Sequence, residues 1–144
     1  MGYELIDVSE HEPLPDRSAT GVEISDHYVP SGEPMEGEST RGPENVGLRV
    51  YEAEPGESLG GGMHYHEEQE EILYVLEGTL SVETPETTYR VGPGQALVVE
   101  PESPQRAFNP EDADESVSVV AIGAPSYRVL GRNDSRPYEP EREE

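Results

Sequence analysis

Two histidines, His64 and His66, stand two residues apart, and an acidic run follows them at once. In a β-strand the side chains at positions i and i+2 point to the same face, so the two imidazoles should project together. Met63 and Tyr65 would then face the opposite side. Two imidazoles and a carboxylate from adjacent strands suit a first-row divalent metal, and such a set leaves coordination positions open. The sequence therefore predicts a metal site in this stretch.

The elements that must position these side chains are short strands. Residues 72–76 form an apolar run directly after the acidic stretch, which predicts a buried strand, and Glu77 and Gly78 predict a tight turn into the next strand at residues 79–83. Both faces of the 72–76 run are apolar. One face should fill the interior, and the other should meet a second sheet or a second subunit.

Further short runs with strand character recur along the chain, and turns rich in Gly and Pro separate them. In residues 45–53, Val46, Leu48 and Val50 alternate with Arg49 and Tyr51, which predicts a strand with two unlike faces. Regularly spaced short strands predict an all-β sandwich or jelly roll. The other predicted strands are residues 3–8, 22–25, 87–91, 96–99, 105–109 and 116–122.

The composition limits the kind of protein and its partners. The chain has 144 residues, 32 acidic against 9 basic, and a net charge of −23. This length predicts one domain, and the charge spread along the whole chain favours adaptation to molar salt. It argues against binding to nucleic acid or anionic membranes, because phosphate contacts need clustered Lys and Arg. The chain has no Cys, which excludes disulfides and thiolate metal sites.

Three regions are predicted along the chain: an irregular arm at residues 1–44, a barrel at residues 45–123 and a polar tail at residues 124–144 that is frayed from Arg132 onward. Residues 31–43 have the composition of a mobile loop. His11 and His27 have no partner at metal-ligand spacing and are not expected to bind a metal. No apolar run reaches membrane-spanning length and no leader is visible, so we expect a cytoplasmic protein.

Four residues separate His66 from Glu71, and six separate Glu71 from Gly78. With the His-x-His pair, this spacing resembles the first motif of the cupin superfamily. Residues 94–109 fit the frame of the second cupin motif, so the resemblance covers about residues 45–123. It implies a jelly roll, the double-stranded β-helix barrel, and the chain looks like the small single-domain cupins of salt-loving microbes. It also implies a divalent metal, Fe, Mn, Ni or Zn.

Two positions depart from the cupin pattern. Ser58 stands where the family has a Gly, and Gln105 stands where the family usually has a fourth metal-binding His. Three interpretations of Gln105 remain open: its carbonyl oxygen binds the metal, it hydrogen-bonds a metal-bound water, or the metal has been lost and the pocket kept. For the carboxylate ligand we choose Glu71 over Glu70, because Glu71 has the family spacing to Gly78. The predicted metal ligands are His64, His66, Glu71 and Gln105.

Three functional classes follow from this set. The first is a metal-dependent enzyme acting on a small organic substrate, and the resemblance implies dioxygenases, isomerases and decarboxylases. Tyr51, Tyr65 or Tyr74 would supply a proton or hydrogen bond where its side chain faces inward. The second is a non-catalytic module that binds a metal or small molecule, which Gln105 favours. A structural protein is disfavoured, because buried His and Glu are costly without partners. We also expect a homodimer, joined through the N-terminal arm or a flat sheet face.

Overall fold

The computed structural model describes residues 2–7, 19–23 and 43–139. These parts of the chain are mostly β-strand, as expected, and residues 2–7 contain no strand. Within them, no helix has the length and the apolar character that crossing a membrane requires. The elements in chain order are β1 (Thr20–Glu23), β2 (Gly47–Ala53), β3 (His64–His66), β4 (Glu70–Glu77), β5 (Leu80–Glu83), β6 (Thr88–Val91), β7 (Ala96–Val99), β8 (Arg106–Phe108), β9 (Val117–Ala124), α1 (Tyr127–Leu130) and β10 (Ser135–Pro137).

The strands form three antiparallel sheets. The largest has five strands in the order β1-β2-β9-β4-β7, the second has three in the order β6-β5-β8, and the third pairs β10 with β3. The order is not the chain order, because the long strand β9 inserts between β2 and β4. Single bridges from Ser58 to Phe108 and from His64 to Gln105 connect the smaller elements to the barrel.

The hydrophobic core joins the five-stranded and three-stranded sheets. Strand β4 shows the alternation: Leu73 and Val75 are buried, while Tyr74 and Leu76 are exposed. The same period runs along β9, and it defines an inner face that packs on β5 and β8. The buried apolar residues of this core are Tyr51, Ala53, Leu59, Leu73, Val75, Leu80, Val82, Val91, Ala107, Val117, Val119 and Ala121, with Ala19 beside them.

The turn between β4 and β5 requires glycine. Gly78 has a φ of 78°, in the left-handed region that side chains disfavour. A Cβ atom at Gly78 would also collide with the carbonyl oxygen of Ser116. The predicted tight turn is therefore present, and it brings the chain close to the start of β9.

The N-terminal region and the tail differ from the sequence expectations. The strand expected at residues 22–25 begins earlier, at Thr20, and residues 24 and 25 lie outside the described part of the chain. His11, His27 and most of the predicted loop at 31–43 also lie outside it. In the tail, α1 begins after Ser126, whose hydroxyl accepts a hydrogen bond from the Val129 amide and caps the helix.

Candidate functional site

Strand β3 places both imidazoles on the same side. The ring centroids of His64 and His66 are 5.3 Å apart in an edge-to-face arrangement. His66 is buried and His64 is half-buried, and both line a cavity of about 290 Å³ inside the barrel. The spacing of the two residues predicted this common orientation.

The carboxylate of Glu71 reaches the same cavity from the start of β4. Its Oε2 atom lies 3.9 Å from Nε2 of His66. Glu70, the neighbour in sequence, is exposed and does not line the cavity. Of the two acids weighed from the sequence, Glu71 is therefore the one that joins the histidines.

Gln105 lies beside His64 and completes the group. Its backbone exchanges two hydrogen bonds with His64, at 3.0 and 2.8 Å, so the two residues lie side by side. The side-chain Nε2 of Gln105 donates to Glu71 Oε1 at 3.0 Å and lies 3.4 Å from His64 Nε2. The structure thus brings together all four predicted site residues, His64, His66, Glu71 and Gln105.

The amide oxygen of Gln105 has no hydrogen-bond partner, although the residue is only 3% exposed. A buried acceptor without a donor is costly, so its site calls for a partner. Rotating the amide by 180° would turn this oxygen toward His64 and Glu71. Two oxygens and an imidazole nitrogen facing one another need either a proton on the nitrogen or a cation between them. The residues therefore fit a metal ion with nitrogen and oxygen ligands.

As the side chains stand, no group of three or more His, Cys, Asp or Glu within residues 2–7, 19–23 and 43–139 has the arrangement of a metal site. His64, His66 and Glu71 share the cavity, but Gln105 donates into the space between them. Turning the Gln105 amide alone therefore does not make a metal site, because the His64, His66 and Glu71 side chains would also have to rearrange around an ion.

Asp134 orients His66, and the sequence did not single it out. Its side chain is fully buried, and Oδ1 lies 2.8 Å from Nδ1 of His66. Oδ2 accepts from the backbone amides of Glu68 and Gln69, both at 2.8 Å. A carboxylate in this position accepts a hydrogen bond from Nδ1–H of His66. The other ring nitrogen, Nε2, then carries no proton and points its lone pair toward the cavity.

The ionisation of Asp134 follows from opposing effects. Burial alone raises the pKa of Asp134, because it disfavours the charged form. The hydrogen bonds from His66 and from the amides of Glu68 and Gln69 favour the carboxylate, and together they hold the pKa of Asp134 below its ordinary value. Asp134 is therefore an acceptor for His66 at neutral pH.

The segment that carries Asp134 is tied to the histidine strand. Strand β10 pairs with β3, and the amide of Tyr138 donates to the Met63 carbonyl at 3.0 Å. Arg132 pairs with Glu67 at 2.8 Å and with Glu68 at 2.7 Å. The expectation of a frayed tail from Arg132 is thus wrong for residues 132–139, because this segment forms a strand with β3 and ion pairs with Glu67 and Glu68.

Part of the cavity wall is aromatic and cationic. Tyr51 on β2 lines it and is buried, as one of the three tyrosines considered from the sequence. Tyr74 faces outward instead and is 39% exposed. Arg49 and Tyr127 also line the cavity, with the guanidinium carbon of Arg49 5.4 Å from the Tyr127 ring centroid.

Comparison with known proteins identifies the family. A family model described as a cupin domain matches residues 49–122, just over half of the chain. No curated protein matches the chain. The described strands, the spacing of His64, His66 and Glu71, and the family match agree on one architecture.

Several solved structures share the fold at low sequence identity. A protein with a double-stranded β-helix domain from Klebsiella pneumoniae has a TM-score of 0.65 at 14% identity, covering 96% of this chain and 100% of that chain. The polyketide cyclase RemF from Streptomyces resistomycificus has a TM-score of 0.61 at 18% identity, covering 87% and 81%. Streptomyces PAC13 with uridine has a TM-score of 0.64 at 14% identity, covering 94% and 90%. The chain therefore belongs to the cupin family, and its all-β fold is the double-stranded β-helix barrel.

Proposed function

We propose that this cupin is a metal-dependent enzyme acting on a small organic molecule in the barrel cavity. The observation that carries the proposal is the convergence of His64, His66, Glu71 and Gln105 on one cavity, with a buried amide oxygen that lacks a donor. In this proposal the four side chains hold a divalent ion, Fe, Mn, Ni or Zn. Such an ion would act as a Lewis acid or a redox centre beside the substrate.

The residues of the chain prepare the cavity for that chemistry. Asp134 holds the Nδ1 proton of His66, so that Nε2 presents its lone pair to the cavity. Gln105 donates to Glu71 as its amide stands, and it would join the metal ligands only with the amide turned so that its oxygen faces Glu71 and His64. Apolar side chains, Leu73 and Ala121 among them, form part of the cavity wall. They lower the local dielectric constant, which strengthens the polar contacts made inside the cavity.

The size of the cavity and the fold neighbours support a small substrate. A volume of about 290 Å³ is enough for a small organic molecule. RemF is a polyketide cyclase and PAC13 was solved with uridine, so related barrels accept small organic molecules. Dioxygenase, isomerase and decarboxylase reactions remain the candidate classes from the family resemblance.

A second candidate is a binding or catalytic cupin that works without a metal. The hydrogen bond from Gln105 to Glu71 favours it, because this amide links the donor set directly. In that case His66, oriented by Asp134, would face the ligand as a base or hydrogen-bond acceptor.

Metal analysis of the purified protein in molar salt tests the proposal. We expect near-stoichiometric metal in the wild type, and its loss in His66→Ala and Glu71→Gln. Glu70→Gln is the matched control, since Glu70 is exposed beside Glu71 and should keep the metal. A metal-free wild type beside a metal-loaded Gln105→His variant would overturn the proposal in favour of the second candidate.

Activity separates an enzyme from a binding module. A panel of small organic substrates is screened with the wild type, and any turnover is repeated with His66→Ala. Turnover that disappears in this variant supports an enzyme. Turnover that survives in both His66→Ala and Glu71→Gln places the reaction elsewhere and contradicts the proposed site.

A further inference from the structure

The short strand β10 forms a second wall of the cavity beside the histidines. In its antiparallel pairing with β3, Ser135 lies opposite His66. Pro137 lies opposite His64 in the same register. Residues directly opposite each other in such a pair point to the same face of the sheet, and these four residues all line the cavity. Ser135 is therefore the side chain that β10 places next to His66.

Asn133, two residues before Ser135, lines the same cavity and holds the hydroxyl of that serine. Its Oδ1 atom accepts hydrogen bonds from the Ser135 amide at 2.9 Å and from the Ser135 hydroxyl at 2.7 Å. An Asn side-chain oxygen that accepts from the backbone two residues further on shapes a turn. This turn uses the oxygen of the Asn133 amide and leaves the role of its nitrogen unexplained.

The contacts of Asn133 decide which way its side-chain amide points. A backbone N–H can only donate, so the atom that faces the Ser135 amide must be the oxygen of Asn133. In the opposite orientation two sets of N–H groups would face each other. Gln105 differs, because its amide oxygen has no partner that fixes it. Nδ2 of Asn133 is therefore a donor with a defined position.

This donor is available to a ligand. Nδ2 of Asn133 makes no hydrogen bond to any residue in the described ranges 2–7, 19–23 and 43–139. Among those residues, Gln105 Oε1 is the only buried side-chain atom that lacks a partner, so Nδ2 of Asn133 is not buried. Ser135 Oγ gives its proton to Asn133 and keeps lone pairs that can accept. The wall beside His66 thus carries an uncharged donor next to an uncharged acceptor.

A donor next to an acceptor selects the chemical group that it binds. The C=O of an amide or lactam accepts from Nδ2 of Asn133, and the neighbouring N–H donates to Oγ of Ser135. A carboxylate offers acceptors alone, and an ammonium group offers donors alone. Each of these would leave one of the two protein groups without a partner, which costs binding free energy.

We propose that Asn133 and Ser135 form a neutral hydrogen-bonding subsite, and that the barrel ligand is a small molecule with the C=O and N–H edge of an amide or lactam. Because Ser135 lies opposite His66 in the strand pair, this edge is held beside the candidate metal ligands. The inference rests on the proposed function in one respect, since it takes the cavity as the ligand site.

Two five-membered ring molecules test the subsite by NMR titration in molar salt. The lactam γ-butyrolactam has both the C=O and the N–H, whereas cyclopentanone has the C=O alone. Both should shift the Nδ2–H₂ signals of Asn133. The lactam should bind about fivefold more tightly, which is the effect of one net hydrogen bond. Equal binding of the two molecules, or Asn133 signals that do not move, would overturn the inference.

Variants decide whether these two side chains are responsible. Ser135→Ala removes the acceptor and should bring the two probes to equal affinity. Asn133→Asp keeps an oxygen for the turn but loses the donor, so both probes should bind about fivefold more weakly. Asn45→Asp is the matched control, since Asn45 is exposed and lies outside the cavity wall. A lactam preference that survives in Ser135→Ala, or unchanged binding in Asn133→Asp, would contradict the subsite.

The metal content of the same samples keeps this result separate from the proposed function. A protein that carries metal but shows no lactam preference contradicts the subsite alone. A protein that lacks metal but keeps a lactam preference dependent on Ser135 supports the subsite and contradicts the metal-dependent proposal.

Discussion

The two faces of the five-stranded sheet differ in polarity, and the inner face carries more polar and charged side chains than a core-facing surface usually does. The inner face carries Arg49, Tyr51 and Glu71 beside the core, because it forms the wall of the cavity. The outer face is largely apolar although it lies outside the barrel core. By strand alternation and register its apolar residues are Leu48, Val50, Ile72, Tyr74, Leu76, Ala96, Val98, Val120 and Ile122, and Glu52, Glu70 and Ser118 lie on the same face.

We propose from this difference that the two faces serve different partners. Tyr74, Leu76 and Val98 are 39%, 49% and 56% exposed, so apolar side chains meet solvent on a strongly acidic protein. Contiguous apolar patches of this kind mark interaction surfaces. The inner face instead carries polar residues where the cavity interrupts the core. The homodimer expected from the sequence remains a prediction, and the outer face gives it a defined surface.

The largest expected effect tests whether the inner face alone supports the fold. Leu73→Ala removes a buried side chain and should lower the free energy of unfolding by about 3 kcal/mol, since it leaves a cavity in the core. Leu76→Ala, on the outer face of the same strand, should cost about 0.5 kcal/mol or less in the monomer. Urea denaturation in molar salt measures both. Equal losses would contradict the assignment of the two faces.

Asp134→Asn tests how much the buried carboxylate beside the site on the inner face stabilises the fold. The folded-state pKa of Asp134 is lowered, so the carboxylate stabilises the fold above its ordinary pKa of 3.8, and this stabilisation is lost as the pH falls through the folded value. We expect the variant to be about 2 kcal/mol less stable at pH 7, because charged hydrogen bonds are lost. The difference should shrink below pH 3.8. A difference independent of pH would argue against an ionised Asp134.

The outer face is tested by a charge in its centre. Tyr74→Glu should weaken the expected homodimer at least tenfold, which is about 1.4 kcal/mol, because it places an acid in an apolar interface. Tyr89→Glu is the matched control, since Tyr89 is 48% exposed on the three-stranded sheet. Light scattering in molar salt measures the mass. A monomeric wild type would refute the homodimer, and the N-terminal arm would then be the remaining candidate to cover this face.

The smallest effect concerns the surface charge that surrounds both faces. Lowering the salt from molar to 0.1 M lengthens the screening distance to about 10 Å and increases the repulsion among acidic side chains. We expect partial unfolding and a melting temperature lower by about 4 °C, or about 1 kcal/mol. Glu111→Gln with Asp112→Asn should reduce this dependence. A melting temperature that does not fall would contradict adaptation to high salt.

Much of the fold could be predicted because apolar runs and turn residues have a local signature. The run at 72–76 lies within β4, and the turn at Gly78 follows it. The sequence could not tell which face of β2 points into the barrel. Leu48 and Val50 alternate with Arg49 and Tyr51, and this pattern defines two faces without showing which one is the inner face. Strand β10 was missed because Ser135–Pro137 has no apolar residue, and only its pairing with β3 makes it a strand.

The part of the candidate site that could be predicted consists of residues close together in the sequence. His64, His66 and Glu71 lie within one short stretch, and the cupin frame added Gln105. Asp134 was missed because nothing distinguishes one acid among 32 until the fold buries it. Arg49 and Tyr127 were missed as cavity residues for a similar reason, since their roles depend on which side of the barrel they face.

The bond between Asp134 and His66 joins residues 68 positions apart. A nascent chain that has reached Leu130 already contains both imidazoles and Glu71, yet it lacks the carboxylate that sets the orientation of His66. The site is therefore incomplete until the segment that carries Asp134 has paired with β3. The orientation of His66 is therefore one of the last features of the site to form. Proteolytic removal of residues 132–138 should abolish this orientation while leaving most of the barrel intact.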